Sequence, residues 1–274
     1  MPETGNKIQT DNRMQLVIRV GTDSLSVSVG NPQAERNIVY EPYNAKSGIS
    51  MAANLRDAFK SLELLMSGYR RVLVLVDSPV MLVPIDEFSE KILSSMYSHT
   101  FTEHKKDEIL YSILPDLNVV AAFGVNKDLK TVIEDHFKEI RFIPASQSVW
   151  LHLYHRSFTG TRSKLFAHFH DNKVDVFSYA NNRFKFCNTF NAKHAHDALY
   201  YILYTWRQLG YNVDNDEIHV CGDIVHKDWL LENLRKHVTR AYAINPVADF
   251  NRARATAIPN IEYDLLALHL SANI

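Results

Sequence analysis

The chain has 274 residues, of which 46% are hydrophobic, 22% are charged and 11% are aromatic. These fractions are ordinary for a globular protein and exclude the disordered, collagen-like and coiled-coil classes. Since the chain has 30 Lys and Arg and 31 Asp and Glu, we predict no extended surface for nucleic acid or anionic lipid.

Two cysteines, Cys187 and Cys221, exclude a disulfide framework. No N-terminal stretch has the pattern of a secretion signal or a spanning helix, so we expect a cytoplasmic protein without membrane insertion.

The nine glycines are dispersed, and no two of them lie closer than nine positions. Loops that cradle phosphates need several neighbouring glycines, because the backbone must approach the phosphate and adopt positive φ. The Gly-x-Gly-x-x-Gly pattern, the P-loop and Gly-Gly pairs are all absent from the sequence. The common dinucleotide and P-loop sites are therefore excluded.

The first half of the chain predicts a three-strand meander followed by helices and strands. Residues 15–20 and 25–29 flank turn-forming residues, which predicts a hairpin. The second run alternates apolar residues with serine, as in a half-buried strand, whereas the apolar run 71–76 predicts a strand covered on both faces. The other elements predicted in this half are strands at 37–41, 118–125 and 140–143 and helices at 51–66, 87–97, 103–114 and from Asn126 onward.

The second half repeats this order after a helix predicted at 145–156. Three strands joined by short turns again precede alternating helices and strands. The elements predicted here are strands at 164–170, 174–179, 183–190, 217–221 and 241–245 and helices at 193–209, 227–237 and 261–270. A meander followed by alternating helices and strands predicts an α/β fold with two lobes, each a mixed sheet flanked by helices.

This layout, with the runs LVIRVGTDS at 16–24 and IHVCGD at 218–223, resembles the actin, hexokinase and Hsp70 superfamily. More closely, the chain is similar to a bacterial family of unknown function with an actin-like ATPase fold. It resembles more distantly the actin-like proteins of pilus assembly and type II secretion. The resemblance implies two RNase H-like lobes, 1–158 with the crossing helix and 159–274. Each lobe would be a mixed sheet, made of a three-strand meander plus parallel strands and flanked by helices.

In active members of the superfamily, two hairpin turns and a helix N-terminus hold ATP between the lobes. The first turn has the pattern Asp-x-Gly-Thr, whose aspartate organises the magnesium ion. The matching positions here are Arg19, Gly21 and Thr22, followed by Asp23 and Ser24. A guanidinium at the magnesium-organising position repels Mg²⁺, so the resemblance implies a phosphate site of altered charge.

The other two elements of the implied site also depart from the family pattern. The second turn matches Asp171 and Asn172 and has no glycine to admit a phosphate. At the strand-to-helix junction, Gly222 is followed by Asp223, where active members have a second glycine. Weak binding of a nucleotide without metal stays open, because Arg19 can pair with a phosphate.

These departures predict a non-catalytic protein of actin-like fold, with no cofactor and no catalytic residue. Such a pseudo-enzyme would be a binding or scaffold module with a degenerate nucleotide cleft and a protein partner; a homodimer is an alternative. A second hypothesis is a divergent ATPase or kinase in which Asp23, Asp171 or Asp223 binds magnesium. A third is a metal-dependent nuclease. Its best-placed carboxylate would be Asp77, and a two-metal site needs more than one.

The thirteen histidines raise the question of a metal site. His168 and His170 alternate along a predicted strand and would project on one face. We find no cysteine, Asp or Glu whose spacing completes a ligand set, and Asp171 is expected on the opposite face, so we predict no metal ligands. The basic residues of the last quarter are interspersed with acids, which predicts a solvated face and no nucleic-acid contact.

Overall fold

Strands and helices follow one another largely as the sequence predicts, with one added sheet. The computed structural model describes residues 15–31 and 37–271. The strands are β1 (Leu16–Val20), β2 (Leu25–Asn31), β3 (Asn37–Tyr43), β4 (Arg71–Val76), β5 (Val80–Pro84), β6 (Glu108–Leu114), β7 (Val119–Val125), β8 (Glu139–Pro144), β9 (Lys164–His170), β10 (Lys173–Ala180), β11 (Arg183–Asn191), β12 (Glu217–Gly222) and β13 (Ala241–Ala243). The helices are α1 (Met51–Ala58), α2 (Glu63–Met66), α3 (Glu90–Thr100), α4 (Lys127–Glu134), α5 (Ser146–Ser157), α6 (Ala195–Gln208), α7 (Lys227–Arg235), α8 (Pro246–Asp249) and α9 (Tyr263–Leu270).

The first lobe is built on a five-stranded mixed sheet with the order β3-β2-β1-β4-β8. The meander is antiparallel, whereas β4 runs parallel to both β1 and β8. Both central strands, β1 and β4, are rich in Val, Leu and Ile and are buried on both faces apart from Arg71. This confirms the strand predicted from the apolar run 71–76, because a strand with helices on both sides has no polar face.

Strand β2 is more buried than its alternation predicts. Ser26 and Ser28 are buried like the apolar residues between them, so the prediction of a half-buried strand is wrong. The serine face is covered by the C-terminal part of the chain. Ser26 Oγ donates to Glu262 Oε1 at 2.9 Å, and Ser28 Oγ lies 2.9 Å from His269 Nε2. These partners make serine acceptable inside the protein, because a buried hydroxyl needs a hydrogen bond.

The helix predicted at 51–66 is divided into α1 and α2. Ser50 caps α1 as expected, accepting a hydrogen bond from the backbone N–H of Ala53. The division follows from Ser61, whose hydroxyl donates to the carbonyl oxygens of Asp57 and Ala58. Serine competes in this way with the helical backbone bonds and favours a helix end.

A three-stranded antiparallel sheet, with the order β5-β7-β6, lies between β4 and β8 along the chain. The helix predicted at 103–114 is wrong, because most of this range forms β6. Ile109, Tyr111 and Ile113 are β-branched or aromatic and suit a paired strand. Helix α3 covers one face of this added sheet, where Leu93 and Tyr97 pack against Val83 and Ala122.

The second lobe repeats the strand order of the first as β11-β10-β9-β12-β13. The meander is antiparallel and the strands that follow are parallel. Helices α6 and α7 contribute Ile202, Trp206 and Leu230 to a core that includes Leu165 of β9 and Val220 of β12. The order of elements therefore predicts both meanders and the parallel strands beside them.

Helices α5 and α9 lie between the two sheets. Val149 and Trp150 of α5 pack with Leu266 of α9 and with Phe166 of the second sheet. Leu265 of α9 packs instead with Val17 of the first sheet. The last helix therefore contacts both lobes, although it follows the second lobe in sequence.

In the ranges 15–31 and 37–271, no helix combines the length and the apolar character that crossing a bilayer demands.

The lowered pKa of the half-buried His269 predicts acid sensitivity of the fold. Burial lowers the pKa of His269 to about 4, whereas an unfolded chain has a histidine pKa of about 6.5. The stabilisation is therefore complete above pH ~6.5 and is lost as the pH falls towards the folded pKa. At about 1.4 kcal/mol per unit, this one group accounts for up to about 3 kcal/mol of unfolding free energy.

Urea unfolding at pH 7 and pH 4.5 measures this loss. His269→Asn is expected to reduce the difference between the two pH values by about 1–3 kcal/mol. His99→Asn, at an exposed position of α3, is the matched control and should leave the difference unchanged. Equal pH dependence of His269→Asn and the unmodified chain would contradict the prediction.

Candidate functional site

Arg19 of β1 lies at the centre of the cleft between the lobes and is 1% exposed. Its Nε donates to Asp264 Oδ2 at 2.7 Å, one terminal nitrogen donates to Ser24 Oγ at 2.9 Å, and the other donates to Asp171 Oδ2 at 2.8 Å. Glu262 adds a fourth contact, with Oε1 4.0 Å from the guanidinium. Each nitrogen of the planar guanidinium therefore already contacts a polar group of this chain.

The two hairpin turns that the sequence predicts at the cleft do face each other. Asp171 and Asn172 form the β9–β10 turn, and both have left-handed φ, 42° and 59°, which Asp and Asn tolerate better than most residues. This turn directs Asp171 to the β1–β2 turn, where Ser24 Oγ donates to Asp171 Oδ1 at 2.7 Å. A Cβ atom on Gly21 would lie 2.5 Å from Asp171 Oδ1 and would also collide with Ser24 Oγ. Close approach of the two turns therefore requires glycine at this position.

The carboxylates of Glu262 and Asp264 belong to this site but were not predicted from the sequence. Both come from the start of α9, and Asp264 lies 245 positions after Arg19 in the chain. Nothing in their local sequence distinguishes them from ordinary acids near a helix N-terminus. Pairing over this separation depends on the tertiary fold. In the sequence, only the helix predicted after the second lobe could have suggested that an acid near its start reaches Arg19.

A second set of polar side chains joins the two lobes beside the pair of Arg19 and Asp171. Lys173 Nζ donates to Asp77 Oδ2 at 2.8 Å and to Thr22 Oγ1 at 3.1 Å. Thr22 Oγ1 lies 3.1 Å from the same Asp77 oxygen and can donate to it. The carboxylate that the nuclease hypothesis required is therefore paired with a lysine of the opposite lobe.

A cavity of about 510 Å³ opens beside Arg19. Six of the nine residues predicted for the cleft line it: Arg19, Ser24, Asp171, Asn172, Gly222 and Asp223. Gly21, Thr22 and Asp23 belong to the same turn as Ser24 but are not part of the cavity lining. Thr22 and Asp23 are exposed.

Gly222 has a packing role at the strand-to-helix junction. It adopts φ +87°, and a Cβ there would collide with the carbonyl oxygen of Phe169. The same carbonyl oxygen accepts the backbone N–H of Asp223 at 3.0 Å. The conformation and the close contact both require glycine, so its presence needs no phosphate to explain it.

The groups around Arg19 and Asp171 shift the pKa values of both residues in the direction that keeps them charged. Burial alone would lower the pKa of Arg19, but Asp264, Asp171 and Glu262 outweigh it and raise the pKa well above the usual arginine value. Burial alone would raise the pKa of Asp171, but His170, Arg19 and Ser24 together hold it well below the usual range. Burial raises the pKa of Glu262. Arg19 and Asp171 are thus a charged pair at neutral pH.

Two histidines lie on the same strand as this turn. His168 and His170 project on one face of β9, as predicted, and their rings stack with centroids 4.9 Å apart. The spacing along the sequence indicates no acid beside this pair, but two acids lie close to the histidine rings in the structure. Asp175 of β10 pairs directly with His168 across the two strands, and Asp171 Oδ2 lies 3.7 Å from His170 Nδ1. Cross-strand pairing brings these groups together, and the spacing along one strand does not reveal it.

Removing the Arg19 guanidinium is expected to destabilise the fold strongly. Arg19→Met leaves Asp171 and Asp264 buried without their cation, and breaking a buried ion pair in this way costs about 3–5 kcal/mol. The matched control is Arg71→Met in the neighbouring strand, whose pair with Glu139 is largely exposed and contributes at most about 1 kcal/mol.

Urea unfolding of both variants at neutral pH makes the comparison. Adding Asp171→Asn to Arg19→Met should recover part of the loss, because it removes one of the carboxylates left unpaired. Similar losses in Arg19→Met and Arg71→Met would show that the buried cluster has no special energetic weight.

Comparison with known proteins agrees with this architecture. A protein of unknown function with an actin-like ATPase fold from Bacteroides thetaiotaomicron has 25% sequence identity and a TM-score of 0.83, over 95% of this chain and 96% of that one. The PilM–PilN type IV pilus biogenesis complex has 11% identity and a TM-score of 0.59, over 95% of this chain and 98% of the matched one. The predicted α/β fold and the resemblance to actin-like ATPases are thereby confirmed.

No curated protein matches the chain. A sequence profile, however, covers residues 3–240. The chain therefore belongs to the family described as "Protein of unknown function (DUF3822)".

Proposed function

We propose that this protein is a non-catalytic member of the actin-like fold, a binding or scaffold module whose cleft does not take Mg-ATP. The observation that carries the proposal is the engagement of Arg19. By the resemblance, its guanidinium takes the position of the magnesium-organising aspartate of active members, and it already donates to Asp171, Ser24 and Asp264. A phosphate could reach it only by displacing these carboxylates, which would then be buried without a cation.

The walls of the cleft also disfavour a nucleotide on grounds of charge. The cavity beside Arg19 is lined by four carboxylates: Asp171, Asp223, Glu262 and Asp264. A nucleoside triphosphate would add further negative charge to this wall, and like charges in a partly buried site repel strongly. The residues present therefore do not fit a magnesium–triphosphate complex, and we derive no hydrolytic step from them.

The contacts across the cleft support a role in binding. Arg19 with Asp171, and Asp77 with Lys173, join side chains of the two lobes. Two lobes held by such contacts can respond to a partner by opening or closing, without any chemical step. PilM, which has a similar fold, is known in a complex with PilN, so this architecture is compatible with recognition of a protein. We propose a protein partner for this chain too.

Calorimetric titration with ATP and Mg²⁺ tests the first part of the proposal. We expect no binding in the micromolar range and no ATP hydrolysis above the protein-free background. Asp23→Ala is the discriminating variant, because the divergent ATPase hypothesis assigns magnesium to Asp23, Asp171 or Asp223 and Asp23 is exposed. Asp135→Ala, exposed after α4, is the control. Micromolar Mg-ATP binding that is lost in Asp23→Ala and kept in Asp135→Ala would overturn the proposal.

Affinity capture from the native lysate tests the second part. The immobilised chain should enrich at least one protein well above an unrelated protein of similar size and charge. Sedimentation of the purified chain at micromolar concentration shows whether a second copy is that partner, as the homodimer alternative requires. A chain that stays monomeric and repeatedly enriches nothing would count against a scaffold role.

A further inference from the structure

Three ionisable side chains converge on one point between β9 and β10. His168 and His170 alternate on β9, and Asp175 lies directly opposite His168 on β10. Each of them offers a potential ligand atom to a metal, and these atoms lie within 4.8 Å of one another. Antiparallel pairing of two strands in a packed sheet fixes their Cβ positions, so the cluster is built into the framework of the second lobe.

The distances in this cluster are close to those of a metal site. Asp175 Oδ2 lies 3.1 Å from His170 Nε2 and 3.8 Å from His168 Nδ1. Tetrahedral zinc with ligand bonds of about 2.1 Å places its donors about 3.4 Å apart. The two observed separations bracket that value, so small side-chain rotations suffice to seat an ion.

Three of the four histidine nitrogens in the cluster are buried without a hydrogen bond to a described residue. His168 is 2% exposed, and its Nδ1 accepts or donates no hydrogen bond among the described residues. Both ring nitrogens of His170 are also buried and form no well-directed hydrogen bond with a described residue, although Nε2 contacts Asp175 Oδ2 at 3.1 Å. Buried polar atoms are nearly always satisfied, and a metal ion would satisfy the nitrogens that face Asp175.

Charge balance points in the same direction. The ion pairs around the cleft connect two permanently charged cations, Arg19 and Lys173, with a larger set of carboxylates. That set is Asp77, Asp171, Asp175, Glu262 and Asp264. Five carboxylates therefore face two permanent cations in this network of buried or half-buried groups, apart from any charge on the imidazoles. A divalent cation beside Asp175 would add positive charge where carboxylates outnumber cations.

We propose that His168, His170 and Asp175 bind one divalent transition-metal ion. Two imidazoles and one carboxylate suit ions such as Zn²⁺, Fe²⁺, Co²⁺ or Ni²⁺, whereas Mg²⁺ prefers oxygen ligands throughout. The site differs in ligands from the magnesium site of nucleotide-binding relatives and needs no nucleotide. It would fasten β9 to β10 beside the turn that holds Asp171, so that metal occupancy and the contact of the two hairpins are linked.

The competing explanation needs no metal. A protonated His170 could neutralise the surrounding carboxylates, because Asp175, Asp171 and Asp77 all lie within 4 Å of its nitrogens. In that case the cluster is a network of ion pairs, and added transition metal finds no specific site. Direct measurement of metal binding separates the two explanations.

Cobalt is the probe of choice, because its visible absorption reports nitrogen and oxygen ligands directly. The purified full chain is stripped with a chelator and titrated with Co²⁺ by absorption and calorimetry, in millimolar Mg²⁺ to suppress weak carboxylate binding. We expect saturation at one equivalent, displacement by Zn²⁺, and a rise in thermal midpoint on Zn²⁺ addition, since a ligand that binds only the folded state stabilises it.

Substitutions of the proposed metal ligands test whether these side chains bind the ion. Asp175→Asn and His168→Gln, which keep the approximate side-chain size, should each weaken Co²⁺ binding at least 100-fold. The matched control is His194→Gln with His196→Gln, a pair with the same sequence spacing but exposed on the surface, and it should bind Co²⁺ normally. Circular dichroism without metal shows whether each variant is folded.

Two results would overturn the proposal. One is the failure of the stripped, folded chain to bind one equivalent of Co²⁺ or Zn²⁺, which decides the question even if the ligand variants do not fold. The other is one-equivalent binding that survives in folded Asp175→Asn or His168→Gln, or that disappears in the surface control. None of these readouts depends on nucleotide binding, so the result stands apart from the test of the proposed function.

Discussion

The buried guanidinium of Arg19 is the constraint on which the cleft of this protein depends. Moving such a charge out of water costs several kcal/mol unless opposite charges and hydrogen bonds replace the lost solvent. Three parts of the chain supply them: the β1–β2 turn with Ser24, the β9–β10 turn with Asp171, and the start of α9 with Asp264. The arginine can be buried only where these three segments meet. Its presence in the central strand therefore fixes how the two lobes and the last helix are placed.

Local periodicity was sufficient to predict most of the framework. The meanders and the parallel strands beside them have alternating or continuous apolar runs that no helix would satisfy. The failures arise where tertiary contacts override the local pattern. Residues 108–114 pair with β7, although the sequence predicts a helix over 103–114. Strand β2 buries its serines because Glu262 and His269, far along the chain, provide their partners.

The candidate site was only partly predictable for a related reason. The resemblance to a known superfamily located Arg19, Asp171 and Gly222, because the hairpin turns and junctions recur at the same places in the fold. Glu262, Asp264 and Asp175 were missed, since each is defined by a contact across strands or across lobes. The charge of Arg19 is visible in the sequence. The full set of carboxylates that pair with it could be identified only in the three-dimensional structure.

The position of Asp264 along the chain has a consequence for how the protein forms. A ribosome releases Arg19 long before it adds residues 262–264, so the first lobe emerges with a cation whose counter-ions have not yet been made. Until they arrive, water must solvate the guanidinium, and the cleft end of β1 stays accessible. Docking of the last helix is then the step that seals the arginine inside. Assembly of the two lobes around Arg19 is therefore completed only once the last helix has left the ribosome, however early the strands begin to pair.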